Sequence, residues 1–511
     1  MRPPAQLDKQ FVWHPFTQMR DWLRGEPIVI ASGHGATLRD VRGKNYLDAN
    51  SSIWTNLHGH RHPKINAAIT RQLNKVAHSS ALGLANEPAS ILAANLVGAA
   101  NCGLGSSHKD IPAAPGASAR KFKFANPKLE KVFFSDDGST ALEVALKLAY
   151  QYTVRARRAA GASATSPKRA PRFLSLTGAY HGDTIGAVSL GHIDLFHKAY
   201  GKMLFATDQV MSPYCYRCPF NRAQPERADA REYRKCQWEC VGLVEKKFTA
   251  QKRKGNPYAA FVFEPLMQGA AGMIPQPAGW LRQVAAIARR NGALLIADEV
   301  MTGFGRTNSV AAVCDRRPSN GGHRPPLQHL FASHQEGVQP DFLCLAKGLT
   351  GGYLPMAATL TTQRVFDAFL GEYDELKTFF HGHSFTGNQL GATAALASLE
   401  ILETKKSVSQ RGQLQQWLQA ELATLWALPQ VGDVRQVGLV AGIELVKDWR
   451  TRTPFDLRAQ AGIRVCAAMA RRGVLTRPVG NVIVLMPPYC TTRAQLQEMV
   501  AALRESVTGT F

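Results

Sequence analysis

One lysine in this sequence occupies a position that is costly for a charged amine. Lys347 follows the apolar run 342–346 and precedes Gly348, Gly351 and Gly352, so we expect it at the end of a buried strand. Burial disfavours the ammonium form, which lowers the pKa of a lysine and makes it a nucleophile or a Schiff-base former. A lysine at a strand end can also extend its amine into solvent. Lys347 alone therefore leaves both interpretations open.

Polar residues also follow other short, apolar, β-rich runs of the chain. These runs are 132–134, 173–176, 260–263 and 293–297. Continuous apolar runs are typical of parallel strands that are covered on both faces, and open parallel sheets bind ligands beyond the carboxyl ends of their strands. We therefore expect the polar residues at these strand ends to meet in one crevice: Tyr180, Glu264, Asp298 and Lys347.

A turn with the properties of an anion site follows the first of these runs. After strand 132–134 come Gly138 and Ser139, and then apolar residues at helical spacing. The first amides of a helix lie at the positive end of its dipole and bind an anion, most simply a phosphate. An ordinary serine N-cap is the alternative.

These groups together are the parts needed to hold pyridoxal phosphate. Lys347 would form the Schiff base, and Asp298 would keep the pyridine nitrogen protonated so that the ring accepts electrons. Tyr180 would stack on the ring, while Gly138 and Ser139 would bind the phosphate. The predicted protein is an enzyme that uses this cofactor.

Two segments of the chain resemble the signature of class III pyridoxal-phosphate aminotransferases. They are LLIADEVMTGFGRT, which contains Asp298, and DFLCLAKGLTGG, which contains Lys347. The resemblance covers nearly the whole chain. Six further segments are similar to the branch of this family that aminates 8-amino-7-oxononanoate in biotin biosynthesis, usually with S-adenosylmethionine as donor: WHPFTQM, SSIWTNLHGH, SDDGSTALEVALK, AYHGDTIGAVS, HGHSFTGNQLG and TRPVGNVIVLMPPY.

The resemblance implies the same cofactor-binding residues and adds several others. Lys347 would also move the proton between the substrate carbon and the cofactor. Ser384 of the partner subunit would reach the phosphate, which implies a homodimer. Arg477 would bind the carboxylate of 8-amino-7-oxononanoate, a role that suits its planar guanidinium. His181 and Glu264 match the family pattern as supporting residues.

Three further residues are expected in the substrate site, namely Phe16, Trp54 and Gly382. Where some relatives have a tyrosine and a Trp-Trp pair, this chain has Phe16 and the pair Ile53 and Trp54. Similar WHPFTQM and HGHSFTGNQLG forms occur in a branch that uses lysine as donor. S-adenosylmethionine is therefore the expected donor, and lysine is the alternative.

Other functions compete with this expectation. The nearest is another class III aminotransferase that acts on an ω-amino acid or a diamine. A cofactor-dependent isomerase or decarboxylase on the same scaffold would release no keto acid. The most distant alternative is a non-enzymatic basic binding protein, which would not bind the cofactor.

The resemblance also implies an α/β architecture of fold type I. We expect a large cofactor-binding domain over 67–395, with a mainly parallel, helix-covered sheet. A small α+β domain would combine the N-terminal segment 1–66 with the C-terminal part 396–511. Stretches rich in Gly, Pro or basic residues predict surface insertions in the large domain, near 101–127, 155–172 and 315–329.

The composition excludes several other classes of protein. The 511 residues are 45% apolar and 19% charged, with a net charge of +23, which suits a globular protein. The basic stretches 155–172 and 246–254 lack interleaved aromatic residues, so a solvated basic surface is favoured over nucleic-acid binding. No apolar run has the length of a membrane span or the form of a secretory signal. We expect a cytoplasmic enzyme that binds neither nucleic acid nor membranes.

The cysteines raise a separate question about metal binding. Nine cysteines scattered through the chain suggest reduced thiols rather than a disulfide framework. Cys215 and Cys218 form a C-x2-C pair, and Cys236 and Cys240 form a C-x3-C pair. Four such thiols can form a structural zinc site or remain free in a loop. The spacing leaves both possibilities open.

Overall fold

The computed structural model describes the protein over four stretches of the chain, residues 2–102, 126–159, 170–307 and 330–511. The insertion predicted near 315–329 lies outside these residues. Most of the insertions predicted near 101–127 and 155–172 also lie outside them.

The strands are short and are distributed along the whole chain. In chain order they are β1 Ile30–His34, β2 Thr37–Asp40, β3 Asn45–Asp48, β4 Leu129–Ser135, β5 Arg172–Leu176, β6 Asp208–Val210, β7 Tyr258–Phe263, β8 Met267–Gln268, β9 Ile274–Pro275, β10 Leu294–Asp298, β11 Phe342–Leu345, β12 Ala357–Thr362, β13 Val431–Val437, β14 Val440–Asp448, β15 Thr453–Pro454, β16 Val474–Leu475, β17 Pro478–Val479 and β18 Val482–Leu485.

Helices separate most of these strands. In chain order they are α1 Pro4–Phe11, α2 Met19–Arg24, α3 Ser51–Trp54, α4 Pro63–Leu73, α5 Glu87–Ala100, α6 Gly138–Ala159, α7 Ile185–Leu190, α8 Asp194–His197, α9 Ala230–Tyr233, α10 Glu239–Arg253, α11 Trp280–Arg290, α12 Gln363–Asp367, α13 Gln389–Leu402, α14 Lys405–Ala423, α15 Ala461–Arg471 and α16 Arg493–Thr508. The single turn α3 has left-handed backbone angles.

A seven-stranded sheet forms the centre of the fold, in the order β4-β12-β11-β10-β7-β5-β6. β10 pairs in parallel with β7 and β11, and β5 pairs in parallel with β6 and β7. β12 runs antiparallel to both β11 and β4. The prediction of a mainly parallel sheet is confirmed, but neither β6 nor β12 was predicted from the sequence.

Both faces of this sheet are buried, which explains why its strands read as continuous apolar runs. Successive residues of a strand point to opposite faces. One face packs against α6, and the other packs against α11 and its neighbours. Along β10, Leu294 and Ile296 belong to the core cluster of α6, whereas Leu295 and Ala297 belong to the cluster of α11.

The two ends of the chain meet in a second sheet of order β1-β2-β3-β16. Val474 pairs with Leu47 in parallel, so backbone hydrogen bonds join the N-terminal segment to the C-terminal part. A third sheet, β13-β14-β18-β17 with β15 on β14, lies entirely in the C-terminal part. The domain boundaries near 66 and 395 stay a prediction.

In the part of the chain that the structure describes, no helix has the length and apolar character required to span a lipid bilayer.

Candidate active site

A cavity of about 410 Å³ opens at the carboxyl ends of the parallel strands. Residues that follow β5, β7, β10 and β11 line it, and the turn between β4 and α6 closes one side. The sequence-predicted residues in its lining are Trp54, Gly138, Ser139, Tyr180, His181, Glu264, Asp298 and Lys347. The volume lies within the range of small-molecule and cofactor sites.

Lys347 begins a 3-10 turn directly after β11. Its φ of 42° lies in the left-handed region, which is strained for a residue with a side chain and is typical of functional positions. Burial of the amine lowers the pKa of Lys347, although the nearby carboxylates oppose this shift. The amine also lies 5.0 Å from the centre of the Trp54 ring. The neutral, nucleophilic form of the amine is therefore more populated in Lys347 than in an exposed lysine.

Asp298 ends β10 with its carboxylate buried in the wall of the cavity. Its Oδ2 atom accepts a hydrogen bond from His181 Nδ1 at 2.8 Å, and its Oδ1 atom accepts one from the Val300 amide at 3.1 Å. A carboxylate only accepts hydrogen bonds, so Nδ1 of His181 carries the proton. These two bonds fix the direction in which the carboxylate faces the cavity.

Glu264 joins two parts of the wall. Its carboxylate accepts hydrogen bonds from the amides of Tyr180 at 3.3 Å and Gly269 at 2.8 Å. Burial raises the pKa of Glu264 to about 7, and the charge of Asp298 adds to this shift. Glu264 therefore anchors the loop that presents the Tyr180 ring. Burial and the hydrogen bond to Asp183 raise the pKa of that phenol above its ordinary value.

The turn before α6 leaves no room for larger side chains. A Cβ atom on Gly138 would lie 2.7 Å from Cγ1 of Val300, and one on Gly182 would overlap Oγ of Ser139. Ser139 Oγ also accepts a hydrogen bond from the Asp183 amide at 3.2 Å. The first amides of α6 have no acceptor within the helix. Glycine is therefore needed at both positions for the turn to pack against Val300 and Ser139 as it does.

The residues in this cavity fit pyridoxal phosphate. A reactive amine, a buried carboxylate for the pyridine nitrogen, an aromatic ring and a helix N-terminus for the phosphate all face the same space. Lys347, Asp298, Tyr180 and the Gly138 turn would hold these four parts of the cofactor.

Four residues that the resemblance assigns to the site do not line this cavity. Ser384, Gly382 and Arg477 are exposed. Phe16 is also exposed, but its ring lies edge-on to Phe196 at 5.3 Å, and Phe196 in turn lies 6.3 Å from Tyr180. Phe16 is therefore linked to Tyr180 through the ring of Phe196.

Sequence reasoning missed several residues around the site. Phe196 belongs to a short aromatic stretch that carried no signal of function. His383 contacts Asp136 Oδ2 at 2.7 Å and so attaches the segment that contains Ser384 to the turn before α6. The contacts of Phe196 with Tyr180 and of His383 with Asp136 join distant parts of the chain. Spacing along the sequence does not show such contacts.

The four cysteines singled out by spacing line a second, much smaller cavity, together with Arg234 and Trp238. All four are free thiols. Burial raises the pKa of Cys215 and of Cys240 to about 12, so both are neutral thiols. Over the described ranges, no group of three or more His, Cys, Asp or Glu side chains is arranged so that it could hold a metal ion.

A parallel sheet covered by helices, with a buried lysine and a fixed aspartate at adjacent strand ends, defines a transferase of the pyridoxal-phosphate fold type I. Comparisons with known proteins narrow this class. The family model described as "Aminotransferase class-III" matches residues 21–315 and 328–507. The chain belongs to the class III aminotransferases, whose cofactor is pyridoxal 5'-phosphate.

Relatives of known name match nearly the whole chain. An adenosylmethionine-8-amino-7-oxononanoate aminotransferase of Nitratidesulfovibrio vulgaris is 45% identical, over 98% of this chain and 81% of the relative. The enzyme of the same name from Geobacter sulfurreducens is 43% identical, over 98% of this chain and 96% of its own.

Solved structures agree with this family. The crystal structure of an adenosylmethionine-8-amino-7-oxononanoate aminotransferase from Methanocaldococcus jannaschii has a TM-score of 0.80 and 36% identity, covering 99% of this chain and 98% of that chain. An amine transaminase from an uncultivated Pseudomonas species, in its PLP-bound form, has a TM-score of 0.79 and 31% identity, covering 98% and 99%.

Proposed function

We propose that this enzyme transfers an amino group to 8-amino-7-oxononanoate and forms 7,8-diaminononanoate in biotin biosynthesis. The observation that carries the proposal is the match, over nearly the full length of both chains, to relatives named for this reaction. S-adenosylmethionine is the proposed donor. It loses its amino group and leaves as a keto acid, and the acceptor then takes up that amino group at its keto carbon.

The residues of the cavity divide the work of this transfer. Bound pyridoxal phosphate carries the amino group and stabilises negative charge at the substrate carbon. Lys347 would bind the cofactor and move the proton at the substrate carbon, a role that suits an amine with a lowered pKa. Asp298, which is fixed by its hydrogen bond from His181, would pair with the pyridine nitrogen. Tyr180 would stack on the ring, and the amides of Gly138 and Ser139 would hold the phosphate.

Acceptor recognition is proposed for Trp54, Phe16, Gly382 and Arg477. Trp54 lines the cavity and offers an apolar face to the aliphatic chain of the acceptor. Arg477 is exposed and carries the planar guanidinium that pairs with a carboxylate. Replacing Arg477 with Ala should raise the KM for 8-amino-7-oxononanoate about tenfold to hundredfold and leave the reaction with the donor unchanged. Arg472→Ala, at an exposed arginine paired with Glu505, is the matched control.

A homodimer is proposed as the working form. Exposed apolar side chains near Ser384 support it, since Leu82, Leu84 and Phe385 are 92%, 62% and 59% exposed. The exposed position of Ser384 is compatible with contact to the phosphate of the partner subunit. Light scattering at micromolar concentration should give twice the chain mass, and a monomer with full activity would exclude this arrangement.

The enzyme is proposed to work in the cytoplasm. Among the described residues, Cys102 is disulfide-bonded and the other seven cysteines are free thiols. A predominance of free thiols is what the reducing cytosol maintains.

Lysine is the second candidate donor, because Phe16 and Ile53 stand where some relatives have a tyrosine and a tryptophan. The test is a half-reaction on the purified yellow holoenzyme. S-adenosylmethionine and lysine are added separately without acceptor while the visible absorbance of the cofactor is followed. Bleaching by S-adenosylmethionine would support it as the donor. Bleaching by lysine alone would mean that lysine is the donor.

The acceptor is then tested on the bleached enzyme. Adding 8-amino-7-oxononanoate should restore the absorbance and give 7,8-diaminononanoate by mass spectrometry. If only ω-amino acids or diamines exchange amino groups with the enzyme, the proposed function is wrong and the amine-transaminase neighbours become the better guide.

A further inference from the structure

The backbone that carries Trp54 is strained over a whole turn. Ser51, Ser52, Ile53 and Trp54 have φ values of 47°, 48°, 64° and 69°. Left-handed helical geometry costs roughly 1–2 kcal/mol for each residue with a side chain. None of the four is glycine, so neighbouring groups must hold the turn in place.

Asp48 supplies much of this restraint. Its Oδ1 atom accepts hydrogen bonds from the amides of Asn50 at 3.3 Å and Ser52 at 3.0 Å. Its Oδ2 atom accepts one from the Ser52 hydroxyl at 2.9 Å. Three hydrogen bonds accepted by one carboxylate therefore fix the start of the left-handed turn.

Asp48 is itself held rigidly. Its side chain is only 4% exposed, and His60 Nε2 donates a hydrogen bond to Oδ2 at 2.9 Å. Asp48 is the last residue of β3, and this strand pairs with both β2 and β16. A hydrogen bond to a charged group in a buried position is among the stronger ones in proteins.

The restrained turn places the indole of Trp54 in the cavity wall. Trp54 Nε1 donates to Asn50 Oδ1 at 2.8 Å. The ring centre lies 5.0 Å from Lys347 Nζ, which is close enough for a cation–π interaction. Gly269 packs against the same ring, since a Cβ atom there would lie 3.3 Å from Cζ3 of Trp54 and 2.7 Å from Sδ of Met301. A residue larger than glycine at position 269 would therefore crowd the ring.

We propose that Asp48 is a positioning residue for acceptor recognition, which acts by holding the strained turn so that Trp54 stays over Lys347. Asp48 does not line the cavity, so its effect on the substrate passes through Trp54. The substrate role of Trp54 rests on the proposed function above.

A double-mutant cycle on the full-length holoenzyme tests this inference. The variants are Asp48→Asn, Trp54→Ala and the pair together. Asp40→Asn is the matched control, because Asp40 is a buried carboxylate that fixes the neighbouring hairpin through the amides of Arg42 and Lys44. If Asp48→Asn folds poorly, Asn50→Ala removes only the acceptor of the Trp54 indole.

The expected result is a KM for 8-amino-7-oxononanoate about tenfold higher in Asp48→Asn, with kcat little changed. In the Trp54→Ala background the same change should alter KM less than about twofold, because residues that act through one contact are not additive. Effects that multiply in the double variant, or an equal rise in Asp40→Asn, would overturn the proposal.

A second measurement needs no substrate, so it separates this inference from the proposed function. The visible absorbance of the bound cofactor is titrated with pH. The Trp54 ring stabilises positive charge on the nitrogen of Lys347, so displacing the ring favours the neutral form of that nitrogen. Asp48→Asn should therefore lower the midpoint of the absorbance titration by about half a pH unit. No shift in Asp48→Asn, or an undiminished shift in the Trp54→Ala background, refutes the role of Asp48 even if the enzyme uses another acceptor.

Discussion

His181 Nδ1 donates a hydrogen bond to Asp298 Oδ2 at 2.8 Å, and both side chains are buried. His181 comes from the loop after β5, whereas Asp298 is the last residue of β10. The contact thus connects two parts of the cavity wall and sets the orientation of the Asp298 carboxylate that faces the cavity.

Replacing His181 with Leu should lower kcat about tenfold to hundredfold, because leucine cannot donate to Asp298. A hydrogen bond to a buried charge contributes roughly 1.5–3 kcal/mol, and a misoriented Asp298 would pair less well with the pyridine nitrogen. Steady-state kinetics and the visible spectrum of the holoenzyme measure the effect. His34→Leu, at an exposed histidine of β1, is the control. Unchanged kcat in His181→Leu would mean that the contact is structural only.

Replacing Lys347 with Ala should abolish the yellow absorbance of the holoenzyme and reduce kcat by at least about a thousandfold, since both the bond to the cofactor and the proton transfer are lost. Absorbance spectra and mass spectrometry after borohydride reduction test this directly. Lys44→Ala, at an exposed lysine of the small N-terminal sheet, should keep the wild-type spectrum. A Lys347→Ala protein that remains yellow would remove the central assignment.

Replacing Gly138 with Ala should weaken pyridoxal phosphate binding about tenfold. The new Cβ atom would lie 2.7 Å from Val300 Cγ1, so the turn must move and the first amides of α6 lose their alignment with the phosphate. Gly242→Ala is the matched control, because that helical glycine has open space around it. The cofactor dissociation constant, titrated by fluorescence on the apoenzyme, should change only for Gly138→Ala.

Glu264 should make the enzyme less stable as pH rises from about 4.5 to about 7. Its pKa is raised from 4.5 to about 7 in the folded protein, so over this range the unfolded chain loses a proton that the folded chain keeps. The linkage relation then gives a loss of about 3 kcal/mol in the free energy of unfolding. Glu264→Gln has no titratable group at this position. Its free energy of unfolding should therefore fall by about 3 kcal/mol less than that of the wild type over the same pH range.

Urea unfolding of the holoenzyme at pH 5 and pH 7.5 measures this difference. Glu400→Gln, at an exposed glutamate, should follow the wild type. Parallel pH dependence in Glu264→Gln and the wild type would show that Glu264 is ionised in the folded protein at pH 5.

Much of the site was predictable because polar residues directly follow apolar runs. Asp298, Glu264 and Lys347 each stand at such a boundary, and the rule that parallel strands bring their carboxyl ends together placed them in one cavity. The position of β12 between β4 and β11 was not predictable in this way. The apolar sequence of a strand does not indicate its direction or its neighbours in the sheet.

The sequence by itself determined the location of most of the parallel strands, the chemistry at their ends and the family resemblance. Only the tertiary structure decided the left-handed turn at Ser51–Trp54, the carboxylate of Asp48 that restrains it and the contact between His181 and Asp298. Apolar runs and helix starts are local patterns, and these can be read along the chain. Strain in a turn without glycine and pairing between distant residues persist only because packing and hydrogen bonds from other elements enforce them.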